Sequence, residues 1–131
     1  MCYRGGLMIN CLFVGIGGFI GSVCRYLIGL IPVSESTEFP IKTLCINVTG
    51  SFLIGLIAFS VQGGKNIDPR MVLFLKVGIC GGFTTFSTFS LETFGLLQKG
   101  STVTAAVYII CSVLLGLAAV LAAKAVIGPL V

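Results

Sequence analysis

The sequence predicts an all-α membrane protein with four transmembrane helices, and three observations carry that prediction. Mean hydropathy is +1.14, only 9% of the 131 residues are charged, and the apolar residues gather into four long runs. A soluble domain of this size needs far more charge to cover its surface. The length suits one domain over residues 1–131.

The runs extend over Leu7–Ile31, Ile41–Val61, Met71–Leu97 and Thr102–Ile127. Each reaches the roughly 20 residues that a bilayer core requires of a helix. The first run follows Arg4 and imitates a signal peptide, but it is too long for one and carries Arg25 near its end, so it reads as a helix. Within it Gly17, Gly21 and Arg25 share a face suited to close helix packing. The GIGGFIG stretch is no dinucleotide loop, because Ile20 stands in the third glycine's place and no strand precedes it.

In the second run Thr43, Asn47 and Gly50 fall on one face, and an amide placed in lipid needs partners or water. The third run contains GICGGFTTFSTFSLET, Gly78 to Thr93, dense in glycine and hydroxyl groups where apolar helix is expected. Gly81–Thr84 is where the helix should break, with a new helix starting near Thr84–Ser87. Phe83, Phe86 and Phe89 recur there at i+3, and in the fourth run Thr104, Tyr108, Ser112 and Gly116 form an i+4 file. The links PVSESTEFP, QGGKNIDP and QKGS are short, so sequential helices run antiparallel.

Several classes of function are excluded. The chain has no histidine; Glu35, Glu38 and Asp68 lie in links, and Glu92 lies toward the end of its segment. A proton relay or cation pump therefore lacks its usual carboxylate, and no base exists to activate a serine or threonine, so the protein is not an enzyme. Six cysteines without metal-site spacing read as small apolar packing residues. A thinly spread net charge of +4 offers nucleic acid no basic patch. Arg4, Lys65, Arg70, Lys76 and Lys124 gather on the side of the termini, against Arg25, Lys42 and Lys99 on the other. So weak a bias predicts insertion in both orientations.

Two readings of the polar positions remain. Small and hydroxyl residues let membrane helices approach and hydrogen-bond. Alternatively, a helix break at membrane depth, tolerated only when buried or lining a wet cavity, aims the positive end of a new helix at an anion. The edges of Phe86 and Phe89 carry partial positive charge, and uncharged donors hold a small anion weakly enough to release it.

GGFIGSVCRY, FPIKTLCINVTGSF and GICGGFTTFSTFSLET resemble the three signature blocks of the Fluc (CrcB-like) fluoride channels, and the resemblance covers essentially the whole chain. It implies an antiparallel, dual-topology homodimer in the inner membrane, with two fluoride pores and a central structural sodium ion. By the same resemblance Asn47, Phe86 and Phe89 line the fluoride path, and Ser87, Thr88, Tyr108 and Ser112 form a polar track beside them. The carbonyls of Gly81 and Thr84 match the sodium ligands, and Arg25 and Glu92 match charged positions near helix ends. The function so implied is passive fluoride export, by a homodimer or by pairing with a sister subunit. A small dual-topology multidrug transporter is the alternative, but it needs a membrane-embedded glutamate in its first helix, which this sequence lacks. One departure is Lys42, where the family usually has glycine. It either raises anion concentration at a pore mouth or snorkels to the interface, and snorkelling is the expectation.

Overall fold

A computed structural model describes residues 3–32 and 38–128. Cys2 and Glu35 lie outside the described residues, as does the side chain of Arg4. Four helical spans are long and apolar enough to cross a membrane: Gly6–Gly29, Ile41–Gln62, Pro69–Gln98 and Thr102–Ile127. They match the four predicted runs to within a turn at each end.

The first crossing is α1, Tyr3–Gly29, and the second is α2, Ile41–Gln62. The third is divided. Pro69–Val72, the π-helical Leu73–Cys80 and Gly81–Phe83 run on without interruption and together form α3. After a break comes α4, Phe86–Gln98, and the last crossing is α5, Thr102–Ile127. Asp68 opens α3 as an N-cap, accepting a hydrogen bond of 2.7 Å from the Arg70 amide, with Pro69 in the first helical position.

Packing divides the bundle into two pairs, α1 on α3 and α2 on α5. The first pair meets through glycines. A Cβ on Gly17 would lie 3.0 Å from Gly78 Cα and collide with the Phe74 carbonyl oxygen. Gly21 meets Ile79, Gly82 and Phe83 in the same way, so the face of Gly17 and Gly21 read from the sequence is the α1–α3 contact. In the second pair Gly55 lies under Ala123. A buried cluster of Leu44, Leu96, Ala105 and Tyr108, with Phe39, Val48, Phe89 and Cys111 around it, ties α4 to α2 and α5. Glu38 accepts from Ser101 at 2.7 Å, joining the two links at that end of the bundle. Most large apolar side chains point outward, including Phe19, Leu114 and Leu121, as lipid as a solvent allows.

The break lies at the far edge of the predicted interval, and its cause differs from the one expected. Gly81 is helical, with φ −65° and ψ −38°, and Gly82 serves the close approach to Gly18. The extended residues are Thr84, with ψ 158°, and Thr85, with φ −152° and ψ 115°. Two β-branched residues that favour extended backbone make the interruption, whereas Gly78 and Gly82 serve the packing on α1. The i+3 file of phenylalanines is cut by it. Phe83 is buried in α3 beside Gly21 and Gly50, apart from Phe86 and Phe89 in α4.

If the glycine contact sets the α1–α3 distance, Gly17→Ala destabilises the protein by about 1–3 kcal/mol through overpacking against rigid backbone. Gly15→Ala, where a Cβ meets nothing within 4 Å, leaves stability near wild type. Thermal midpoints in detergent distinguish the two, and equal midpoints contradict the assigned contact.

Candidate functional site

The break frees backbone groups, and Asn47 takes two of them. Its Oδ1 accepts from the Thr85 amide at 2.8 Å, and its Nδ2 donates to the Thr85 carbonyl at 3.1 Å. The side-chain amide thus does what a neighbouring peptide does in a β-ladder, and it does so from another helix. A primary amide has two N–H donors, so the second is left for another partner. Thr85 then caps α4: its Oγ1 accepts from the Thr88 amide at 3.2 Å and donates to Thr88 Oγ1 at 3.0 Å, which leaves the Thr88 hydroxyl hydrogen available. Ser87 Oγ lies 3.3 Å from the same Thr85 oxygen.

These bonds fix which carbonyls lack a helical partner. In an unbroken helix the Gly81 carbonyl would accept from the Thr85 amide, which Asn47 has taken. The Thr84 carbonyl would accept from the Thr88 amide, which the Thr85 hydroxyl has taken. The Thr84 amide and hydroxyl both go to the Cys80 carbonyl, at 3.0 and 2.9 Å. A recess of about 220 Å³ lies here, lined by Asn47, Gly50, Ser51, Ile54, Cys80, Gly81 and Thr84. Gly81 is exposed, and Gly50 must lack a Cβ because Thr84 Cγ2 occupies that space.

The face of α2 predicted from spacing is the one that reads the third crossing. Thr43 donates to Glu92 Oε1 at 2.8 Å, Asn47 pairs with Thr85, and Gly50 lies against Thr84. Glu92 is also bonded through Oε2 to the Tyr108 hydroxyl at 2.7 Å. The Tyr108 hydrogen is therefore committed, and what this side chain offers a pathway is its ring. Tyr108 is completely buried, and its ring centroid lies 5.1 Å from Phe89, which in turn lies 5.6 Å from Phe86. Phe39 stands edge-on to Tyr108 at 5.5 Å and extends this aromatic row toward the link. Phe86 is 78% exposed and Ser87 is exposed, while Ser112 Oγ is buried with no hydrogen-bond partner among the described residues.

Arg25 lies in a second, larger cavity of about 510 Å³ between α1, α2 and the third crossing, with Glu92, Thr85, Thr88 and Lys42 on its wall. Lys42 Nζ donates to the Gly29 carbonyl at 2.7 Å, at the end of α1. The structure thus gathers Asn47, Ser87, Thr88, Phe86, Phe89 and Tyr108 about the first turns of α4, with Glu92 midway along it. Three participants were not singled out for the site by sequence. Thr85 is the hub of the break, Thr43 holds Glu92, and Phe39 supports Tyr108. Thr43 left a signal in its shared face with Asn47, and Thr85 in its place within the expected helix start at Thr84–Ser87.

Four crossings, an interrupted helix held by a borrowed amide, and uncharged polar groups beside it define a small polytopic membrane protein with a polar break in its third crossing. A profile of the family described as CrcB-like protein, Camphor Resistance (CrcB), matches residues 12–124. A Rhizobium meliloti protein named fluoride-specific ion channel FluC is 45% identical over 125 residues, covering 95% of this chain and 100% of that one. Proteins of the same name from Chlorobaculum tepidum and Ruminiclostridium cellulolyticum are 46% and 47% identical, covering 86% and 89% of this chain and 89% and 91% of their own lengths. The chain belongs to the CrcB-like family.

The Asn47 pairing makes a stability prediction that separates donor from acceptor. Asn47→Asp can still accept from Thr85 N–H but sets an oxygen against the Thr85 carbonyl, and Asn47→Ala satisfies neither group. Each orphaned group costs about 1–3 kcal/mol, so both variants unfold at lower temperature in detergent than wild type. A wild-type midpoint for both contradicts the pairing.

Proposed function

We infer that the protein is a fluoride-selective channel that passively exports fluoride from the cytoplasm across the inner membrane. The observation that carries this is the broken third crossing at Thr84–Thr85, where the groups bonded to Thr85, the Asn47 amide and the Thr88 amide and hydroxyl, are uncharged. The names of the relatives supply the ion. Fluoride is small and strongly hydrated, and amide, hydroxyl and ring-edge donors replace part of its shell without trapping it. The pathway runs past the second Asn47 N–H, the free amides at the start of α4, Ser87, the Thr88 hydroxyl, the edges of Phe86 and Phe89, the Tyr108 ring and Ser112 Oγ, which has no partner among the described residues. A multidrug transporter is not favoured, because α1 carries no glutamate.

The working unit is an antiparallel, dual-topology dimer of this chain or of it with a sister subunit. Exposed Ser87 and Gly81 beside an exposed Phe86 make a poor lipid surface and a suitable face for a second subunit. A two-fold axis through this face repeats the same patch, which brings the Gly81 and Thr84 carbonyls of both copies toward one point. Those carbonyls fit a structural sodium ion: their helical partners are taken by Asn47 and Thr85, and no carboxylate lines the recess, as a divalent ion would require. The ion satisfies the carbonyls and fixes the start of α4.

Liposomes containing the protein should release fluoride and retain chloride, and Phe86→Ile or Phe89→Ile should reduce the fluoride rate at least tenfold while the dimer persists in detergent. Comparable chloride and fluoride release contradicts the selectivity, and unchanged rates in both variants remove the rings from the pathway. Exchanging sodium for N-methylglucamine throughout reconstitution should abolish efflux and weaken the dimer. Efflux and dimer that both survive exhaustive sodium removal rule out the ion.

A further inference from the structure

Lys42 is a basic side chain in the cavity that the donor row does not account for. The cavity of about 510 Å³ opens onto Thr85 and Thr88 at the start of α4, so an ion entering it meets the capped helix end directly. Its wall carries two cations, Arg25 and Lys42, and one carboxylate, Glu92. Both Glu92 oxygens accept from hydroxyls, Thr43 at 2.8 Å and Tyr108 at 2.7 Å. Among the described residues neither cation is paired with it, so the cavity keeps a net positive field. The Lys42 ammonium has a partner as well as a charge: the Gly29 carbonyl at the negative end of α1 accepts from Nζ at 2.7 Å, on the wall of the same cavity. An ammonium has three N–H donors, and this bond uses one.

We propose that Lys42 is an anion-capture residue, which with Arg25 raises fluoride concentration in the entrance cavity and sets the rate at which the uncharged donor row is loaded. This rests on the fluoride-channel reading. The separation of roles follows from strength of binding. A cation within the narrow row would hold fluoride too long, whereas one in a wide cavity attracts it and lets it pass. A unit charge about 7 Å from a passing ion in water changes local concentration about threefold, and more where low-dielectric walls focus the field. The effect is screened by salt, since the Debye length falls from about 30 Å at 0.01 M to about 8 Å at 0.15 M.

The test measures initial fluoride efflux from liposomes at low fluoride for wild type, Lys42→Arg, Lys42→Met and Lys42→Glu, with sodium gluconate setting ionic strength. Lys42→Met and Lys42→Glu both lose the bond to Gly29 and differ from one another in charge. At low ionic strength Lys42→Arg should match wild type, Lys42→Met should be about threefold slower, and Lys42→Glu about threefold slower again. The three should converge as gluconate rises. A purely structural cap predicts equal loss in Lys42→Met and Lys42→Glu at every salt concentration, and that result overturns the proposal. Wild type supplies a reading that needs no variant: its efflux at fixed fluoride should fall as gluconate rises, and a salt-independent rate also overturns the proposal. Wild-type liposomes that release no fluoride overturn the channel reading and this proposal together, whereas normal release with charge-independent variants overturns this proposal alone.

Discussion

A helix cannot be interrupted inside a membrane unless something replaces the hydrogen bonds it gives up, and here the replacement is the pair between Asn47 and Thr85. One side chain supplies both a donor and an acceptor to one residue, so Thr85 stays extended without a buried orphan. The polar groups around the break take their positions from that pair. It lets Thr85 cap α4, directs α4 so that Phe89 meets Tyr108, and leaves the Gly81 and Thr84 carbonyls without helical partners. The break therefore produces opposite ends at nearly one place: N–H groups at the start of α4 that favour an anion, and carbonyls at the end of α3 that favour a cation.

The remaining polar groups are arranged to keep charge out of the donor row. Glu92 is the only carboxylate described within the helices, and Thr43 and Tyr108 hold both of its oxygens. Its charge is spread over two hydroxyl donors on α2 and α5 and directed into the wide cavity that also contains Arg25. Phe39, Tyr108, Phe89 and Phe86 form a continuous aromatic row alongside, so ring edges succeed one another from the link to the exposed face. A single subunit carries these features and ends at Phe86, which is 78% exposed.

Most of this was legible in the sequence because lipid leaves few options. Apolar run length fixed the four crossings, and α-helical spacing placed Thr43, Asn47 and Gly50 on the face that does meet the third crossing. The glycines misled in one respect. Their conformational freedom suggested that Gly81 and Gly82 unwind the helix, whereas they remain helical and Gly82 serves the approach to Gly18. The extended residues are threonines, and only the tertiary partner Asn47 distinguishes Thr84–Thr85 from a threonine pair within a helix. Phe39 was hidden because its contact with Tyr108 spans distant positions in a link of no regular period. The place of Lys42 was likewise a tertiary fact, since Gly29 lies thirteen residues earlier at the end of another helix.

The central claim is that the amide which holds the break also meets the conducted ion. The most direct measurement is nitrogen–fluorine dipolar recoupling in frozen proteoliposomes equilibrated with fluoride, with nitrogen-15 in the asparagine side chains and the serine backbone. The account predicts fluoride-dependent dephasing of Asn47 Nδ2 and of the Ser87 amide nitrogen, which lies free at the start of α4. Dephasing at neither, in liposomes from the same preparation that release fluoride, would place the ion's path elsewhere and contradict the account.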